Sequence, residues 1–204
     1  MERFLWVVSI FVWQISTYFI VKPFQKPDRQ HVWKYRLDDR IPVQPAFIWV
    51  YLCCYLWWWY VMASHYGDLR FAAAAILGYM LAAVTFVLYP TRILGREQVQ
   101  AKGLTGLALR ITFAADTPQN LFPSVHVFVS VLCLITALET GGLWLLVSAL
   151  FCGAVCWSTL VLRQHYLPDL WGGALLAVIT WLLADLPALQ TAARFWTDLF
   201  LNLI

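Results

Sequence analysis

Long apolar runs separated by short polar segments organise this chain. Six such runs stand out, at about 4–21, 46–62, 71–89, 123–140, 143–162 and 170–186. A bilayer core about 30 Å thick takes roughly 20 helical residues to cross. Backbone groups inside hydrocarbon must be paired within the segment, so each run is predicted to be a helix. The runs are continuous, without the polar alternation of a barrel strand. Trp57, Trp58, Trp59 and Tyr60 cluster at one end of the second run, where an interfacial aromatic belt is expected. The tail, 191–204, sets Phe195, Trp196, Leu199, Phe200 and Leu203 against Arg194, Asp198 and Asn202. That pattern suits a helix lying in the membrane surface or packed on the bundle. Two loops are long: 22–45, which is polar, and 90–122, which carries Arg92, Arg96, Lys102, Arg110 and Asp116. The expectation is one all-α domain over 1–204, an integral membrane bundle of six transmembrane helices.

Composition agrees with that pattern. Hydrophobic residues make up 62% of the chain and charged residues 12%, where a soluble domain carries about 25% charged. So few charges cannot cover so much apolar side chain in water. Arg3 before an apolar run has the outline of a secretory signal, but 4–21 is long enough to span and no small-residue cleavage site follows. The net charge of +3 is small and scattered, which argues against a nucleic acid partner. The five cysteines (53, 54, 133, 152 and 156) lie in apolar runs without a CxxC pair. They read as small buried hydrophobes, neither disulfides nor metal ligands.

Alternation of six spans brings the start of the fourth, the end of the fifth and the start of the sixth to one membrane face. Those places hold Pro123-Ser124-Val125-His126, then the stretch from Ser158 and Thr159 to Arg163, Gln164 and His165, then Pro168-Asp169. His165 and Asp169 are four apart, so the carboxylate can fix the imidazole tautomer and stabilise the cation formed if the ring attacks. Ser158 lies two helical turns before His165 and Arg163 nearer still, so hydroxyl and guanidinium donors could hold phosphate oxygens. Pro168 suits the first turn of a helix whose N-terminus favours an anion. His126 is placed to serve as a general acid.

These segments resemble the type-2 phosphatidic acid phosphatase superfamily. "FPSVHV" at 122–127 is similar to its Pro-Ser-x-His motif, and "STLVLRQHYLPDLWGG" at 158–173 to its third motif. "DDRIPVQPAFIWVYL" at 38–52 and "DTPQNLFPSVHV" at 116–127 resemble the branch near bacterial small lipid phosphatases and the inositol phosphorylceramide and sphingomyelin synthases. The resemblance implies that His165 forms a phosphohistidine, Asp169 supports it, and His126 acts as acid and then base, without metal or other cofactor. Two departures stand out. Thr159 occupies the position where the third motif usually has arginine, and the first motif, a lysine with Arg-Pro seven residues later, is absent. Phosphate binding then falls to Ser124, Ser158 and Arg163, and to Arg96 or Arg92, with Lys102 and Arg110 as further candidates.

His31 and His65 read as interfacial polar residues, Asp116 and Asn120 as shaping the turn before the fourth span, and Asp185 as interfacial. A zinc or iron site on His126, His165 and Asp169 would leave the serines and Arg163 unexplained. The implied activity is hydrolysis of a membrane lipid phosphate: phosphatidic acid, phosphatidylglycerol phosphate or a polyprenyl diphosphate. Transfer of the phospho-headgroup to a lipid alcohol shares the phosphoenzyme step, but a short chain without large acceptor loops favours the phosphatase. A transporter would need more polar residues inside the spans than Gln14, Ser16 and Thr17 provide. Eleven of the fourteen Lys and Arg residues fall on the candidate active-site face, which by the positive-inside rule makes that face cytoplasmic. The resemblance implies instead a bacterial inner-membrane protein with its site facing the periplasm.

Overall fold

Gly, Pro and Asp set the limits of the apolar helices. In a computed structural model, which describes residues 1–24, 30–116 and 118–202, these are α1 (Glu2–Ile20), α2 (Ile48–Ser64), α3 (Leu69–Leu88), α4 (Gly103–Ala115), α5 (Val125–Thr140), α6 (Gly142–Val161), α7 (Leu167–Leu183) and α8 (Pro187–Leu201). Asp68 starts α3 by accepting hydrogen bonds from the backbone N–H of Arg70 at 2.9 Å and Phe71 at 3.1 Å. Gly141, at φ +71°, lets α5 reverse directly into α6. Among the described residues there is no strand, only isolated bridges joining His31 to Thr91 and Arg92 to Gln119.

The helices alternate in direction, as the run pattern predicts. At one end Tyr66 donates to Glu2 at 3.0 Å, and Arg70 pairs with Glu139 at 3.4 Å and Asp185 at 3.3 Å. The long loops lie at the other end. α5 is the central helix, packed between α6 and α7. Buried Ala72 to Ala75 let α3 approach α1, α7 and α8 closely.

Four helical segments are long and apolar enough to cross a membrane: Glu2–Phe24, Pro45–Ser64, Leu69–Leu88 and Gly142–Val161. They are compatible with a multi-pass membrane protein. The other two expected spans differ. α5 has 16 residues, about 24 Å at 1.5 Å per residue, because Ser124 caps it and keeps Pro123 and Ser124 out of the helix. α7 passes only together with α8, from which it is bent by 101°.

Three further details depart from the run pattern. The 90–122 segment contains α4, whose Leu104, Leu107 and Ile111 form an exposed apolar stripe; the short run was masked by the polar residues around it. The tryptophans of α2 do not form an exposed belt, since consecutive helical positions point about 100° apart. Trp58 is buried, Trp57 stacks on Phe151 at 4.7 Å and Trp59 on Phe11 at 5.3 Å, leaving Tyr60 exposed. The tail helix α8 packs on the bundle: Trp196 donates to the Ser9 carbonyl at 2.9 Å and its ring meets Trp13 at 4.7 Å. Leu203 lies outside the described residues.

α7 approaches the start of α5 closely, so that a Cβ on Gly173 would stand 2.3 Å from the Ser124 carbonyl oxygen. Gly173→Ala is therefore expected to cost about 1–3 kcal/mol through forced separation of α5 and α7. Gly153→Ala, where the new carbon meets nothing within 4 Å, leaves stability unchanged or raises it by helix propensity. Thermal unfolding of both variants in detergent checks the contrast.

Candidate active site

His165 is placed by the way α6 ends. Arg163 takes a left-handed backbone, φ +52°. The chain then folds back so that the N–H groups of Gln164 and His165 both donate to the Thr159 carbonyl, at 2.8 and 3.2 Å, while Arg163 N–H donates to Leu160 at 3.1 Å. This is the helix-ending turn usually made by glycine. Its guanidinium compensates by donating to the carbonyls of Asp38 at 2.9 Å and Ile41 at 3.0 Å. Asp38, buried in the preceding loop, in turn accepts from the backbone N–H of Leu167 at 2.8 Å and Tyr35 at 2.7 Å.

Asp169 sits in the first turn of α7. Its Oδ2 accepts from the Tyr166 N–H at 2.8 Å and lies 3.6 Å from His165 Nδ1. Its carbonyl accepts from the Ser124 N–H at 2.9 Å, which locks the start of α5 to the start of α7. Two residues on, His126 Nδ1 faces His165 Nε2 at 3.4 Å. The three residues predicted to do chemistry thus stand in a row. On the other side of His126, Nε2 meets Tyr51 Oη at 2.6 Å and Tyr55 Oη at 3.2 Å, both from α2. Trp58, on the same face of α2, donates to Ser130 of α5 at 3.1 Å and fixes the two helices in register.

Among the described residues His165 Nδ1 makes no hydrogen bond; the Asp169 carboxylate 3.6 Å away can only accept, so the tautomer assigned puts the hydrogen on Nδ1 and the lone pair on Nε2. His126 then donates from Nδ1 to that lone pair, and its Nε2 accepts from the Tyr51 hydroxyl. A nucleophilic nitrogen with an oriented proton donor beside it is the result.

The predicted phosphate ligands are placed differently. Ser124 Oγ caps α5, accepting from Val127 N–H at 3.3 Å, and buried Ser158 donates to the Val155 carbonyl at 2.8 Å. Arg163 holds the 38–41 segment, and the side chains of Arg92, Lys102 and Arg110 are exposed. Arg96 comes nearest the site: it donates to Gln164 Oε1 and to the Asp116 carbonyl at 2.5 Å, with the Asp116 carboxylate at 3.5 Å. The start of α7 is also engaged, since Leu167 N–H is held by Asp38 and Pro168 has none. Of the bland readings, His31 stacks on Tyr89 at 4.6 Å and His65 bonds the Val61 carbonyl at 2.9 Å. All five cysteines are free.

Beside the histidine pair opens a cavity of about 400 Å³ between α1, α2, α3, α5 and residues 115, 116 and 119–121. His126, His165, Gln164, Asn120 and Asp116 line one part of it, and Phe11, Ile15, Phe19, Ala82, Ala83 and Phe86 another. Ile15 and Phe19 are half exposed, so its apolar part opens sideways past α1. Among the described residues, no group of three or more His, Cys, Asp or Glu side chains is arranged to hold a metal ion. Tyr51, Tyr55, Asp38 and Gln164 are site residues that the motif spacing did not single out. Hydroxyls at Tyr51 and Tyr55, four apart inside an apolar run, were the available signal.

Fold and site together define a helical bundle with a paired-histidine centre beside a largely apolar cavity. No family model matches the chain, and neither does any curated protein or solved structure.

If Arg163 has the tethering role seen here, glycine restores the easy left-handed turn but loses the loop contacts. Arg163→Gly is expected to speed proteolysis within 31–45 while remaining about 1 kcal/mol more stable than Arg163→Ala, which suffers both losses. Limited proteolysis and thermal unfolding of the two variants, side by side, measure this.

Proposed function

We propose that the chain is a metal-independent lipid phosphatase acting through a phosphohistidine on His165. The observation that carries this reading is the row Asp169–His165–His126 beside a cavity that is mostly apolar, with Gln14, Thr17 and Tyr79 among its other lining residues, and that opens sideways. A lipid phosphate carries a charged head on an apolar tail. In the proposed reaction the head lies beside the histidines and the tail leaves past Ile15 and Phe19.

The 3.4 Å contact between the rings leaves no space for phosphorus, so the bound phosphate replaces the hydrogen bond between them. His165 Nε2 then attacks phosphorus in line with the leaving ester oxygen, and the P–O bond breaks as the P–N bond forms. His126 Nε2 takes up the proton of the monoanionic phosphate head as it binds, and the resulting imidazolium gives its Nδ1 proton to that oxygen, releasing the lipid alcohol, while its Nε2–H is held by Tyr51 and Tyr55. Asp169 stabilises the positive charge on the His165 ring. Water next attacks phosphorus, neutral His126 takes its proton, and the P–N bond breaks to free phosphate and His165. A lipid alcohol in place of water would make the same centre a phosphotransferase. The setting that goes with this reading is a bacterial inner membrane with the site facing the periplasm.

Phosphate release from lipid phosphates by the purified protein is expected to survive EDTA and to fall at least about 10³-fold in His165→Ala, as for loss of other covalent nucleophiles. Wild type should also acquire acid-labile label from a radiolabelled lipid phosphate, and the variant none. Failure of wild type to release or transfer phosphate from any lipid in the panel overturns the proposal.

A further inference from the structure

Two carboxamides facing the cavity carry donors that nothing accepts. Gln164 is 1% exposed and Asn120 4% exposed, and both line the cavity with His126 and His165. The orientation of Gln164 follows from its neighbour. Arg96 has only donors, so the carboxamide must turn its oxygen toward the guanidinium. Its NH2 group then points away from Arg96, and Nε2 has no partner among the described residues. Asn120 has neither its amide oxygen nor its nitrogen bonded. Asn120 does shape the turn, with a left-handed backbone at φ +61°, but its side chain bonds none of the surrounding backbone among the described residues. Leaving such a buried group unpaired costs about 1–3 kcal/mol, and native interiors pair nearly all of them. Their presence in one cavity lining with His126 and His165 fits a ligand that supplies acceptor oxygens.

We infer that Asn120 and Gln164 form an uncharged oxyanion subsite, with Asn120 Nδ2 and Gln164 Nε2 donating to the non-bridging oxygens of a phosphoryl group. Arg96 is a positioning residue that acts through Gln164. The inference rests on the lipid-phosphate reading of the histidine pair and supplies what that reading lacks. None of Ser124, Ser158, Arg163, Arg92 or Arg96 lines the cavity, and all but exposed Arg92 are committed to protein carbonyls or N–H groups. Neutral donors aimed where negative charge develops serve the same end as arginine, as backbone amides do in other oxyanion sites.

The test uses Gln164→Met and Asn120→Leu, which keep size and remove the donors. Inorganic phosphate and orthovanadate are the probes, added to the full-length protein in detergent. Without ligand both variants should unfold somewhat below the wild-type temperature, because Gln164→Met removes the acceptor of the Arg96 hydrogen bond and Asn120→Leu places a bulky residue at φ +61°. Each should weaken phosphate and vanadate binding about tenfold and lower kcat on lipid phosphate 10²–10³-fold, the loss seen when one oxyanion donor is removed. Arg96→Met should weaken binding by a similar factor, and adding it to Gln164→Met should weaken binding no further. Variants that unfold at lower temperature yet bind both probes as wild type does would make the carboxamides structural and overturn the subsite. So would wild-type kcat in both, and in either case activity that still depends on His165 leaves the parent reading standing. A wild-type protein that neither binds the probes nor acts on any lipid phosphate overturns both together.

Discussion

The hydrogen bond from Ser124 N–H to the Asp169 carbonyl, at 2.9 Å, is the constraint on which the rest of the site depends. It joins the first turns of two helices whose sequences lie more than forty residues apart. His126 stands two residues after one end of this bond and His165 four before the other, so their separation is set by backbone and not by flexible side chains. Gly173 makes the bond possible, since any larger residue would hold the helices apart. The Asp169 carboxylate, on the same residue, both caps α7 and lies against His165. One contact therefore couples helix packing, helix start and imidazole orientation, and a shift of a few tenths of an ångström there would be felt by all three.

Around that contact the charges are spent on structure. Arg163 and Asp38 hold a loop and a helix start; Arg96 and Asp116 hold each other and the loop that closes the cavity. Near a low-dielectric interior this is the expected economy, because an unpaired buried charge costs far more than an unpaired amide. Under the proposed function it explains how the site would take an anion without presenting a free cation to it. The groups left over are neutral: two tyrosine hydroxyls on His126 and two carboxamides on the cavity wall.

The parts that were legible in the sequence are those with a fixed period or spacing. Continuous apolar runs gave the helices, and the four-residue step from His165 to Asp169 put a carboxylate beside an imidazole. Alternating direction was enough to bring His126 to the same end. What was not legible depends on where backbone turns point a side chain. Arg163 reads as an anion ligand by composition, yet its left-handed φ turns the guanidinium toward Asp38 and Ile41. Ser158 looks free in the sequence but bonds the carbonyl three residues back, as serines in helices do. Asn120 and Gln164 lie inside the motif-like segments at 116–127 and 158–173 without a ligand role read from their spacing, and burial without partners is what marks them. The apolar run at 123–140 overstated its helix because Ser124 is a cap, and no hydropathy pattern distinguishes a cap from a first turn.

The shortness of α5 has a consequence for how a lipid would reach the centre. A helix of 16 residues covers about 24 Å, less than the roughly 30 Å of a bilayer core. If its far end, at Thr140, meets one boundary, His126 at the other end lies several ångströms inside the opposite one. The site would then lie below the headgroup plane, at the end of the bundle that carries the 31–45 and 91–116 segments, which pair with each other at His31 and Thr91. A lipid head lying in the headgroup plane starts within several ångströms of that depth. The sideways opening past Ile15 and Phe19 is on the route the lipid would take. For the lipid phosphatase we propose, depth and opening would both favour a substrate that arrives from the membrane, independently of which groups bind its phosphate.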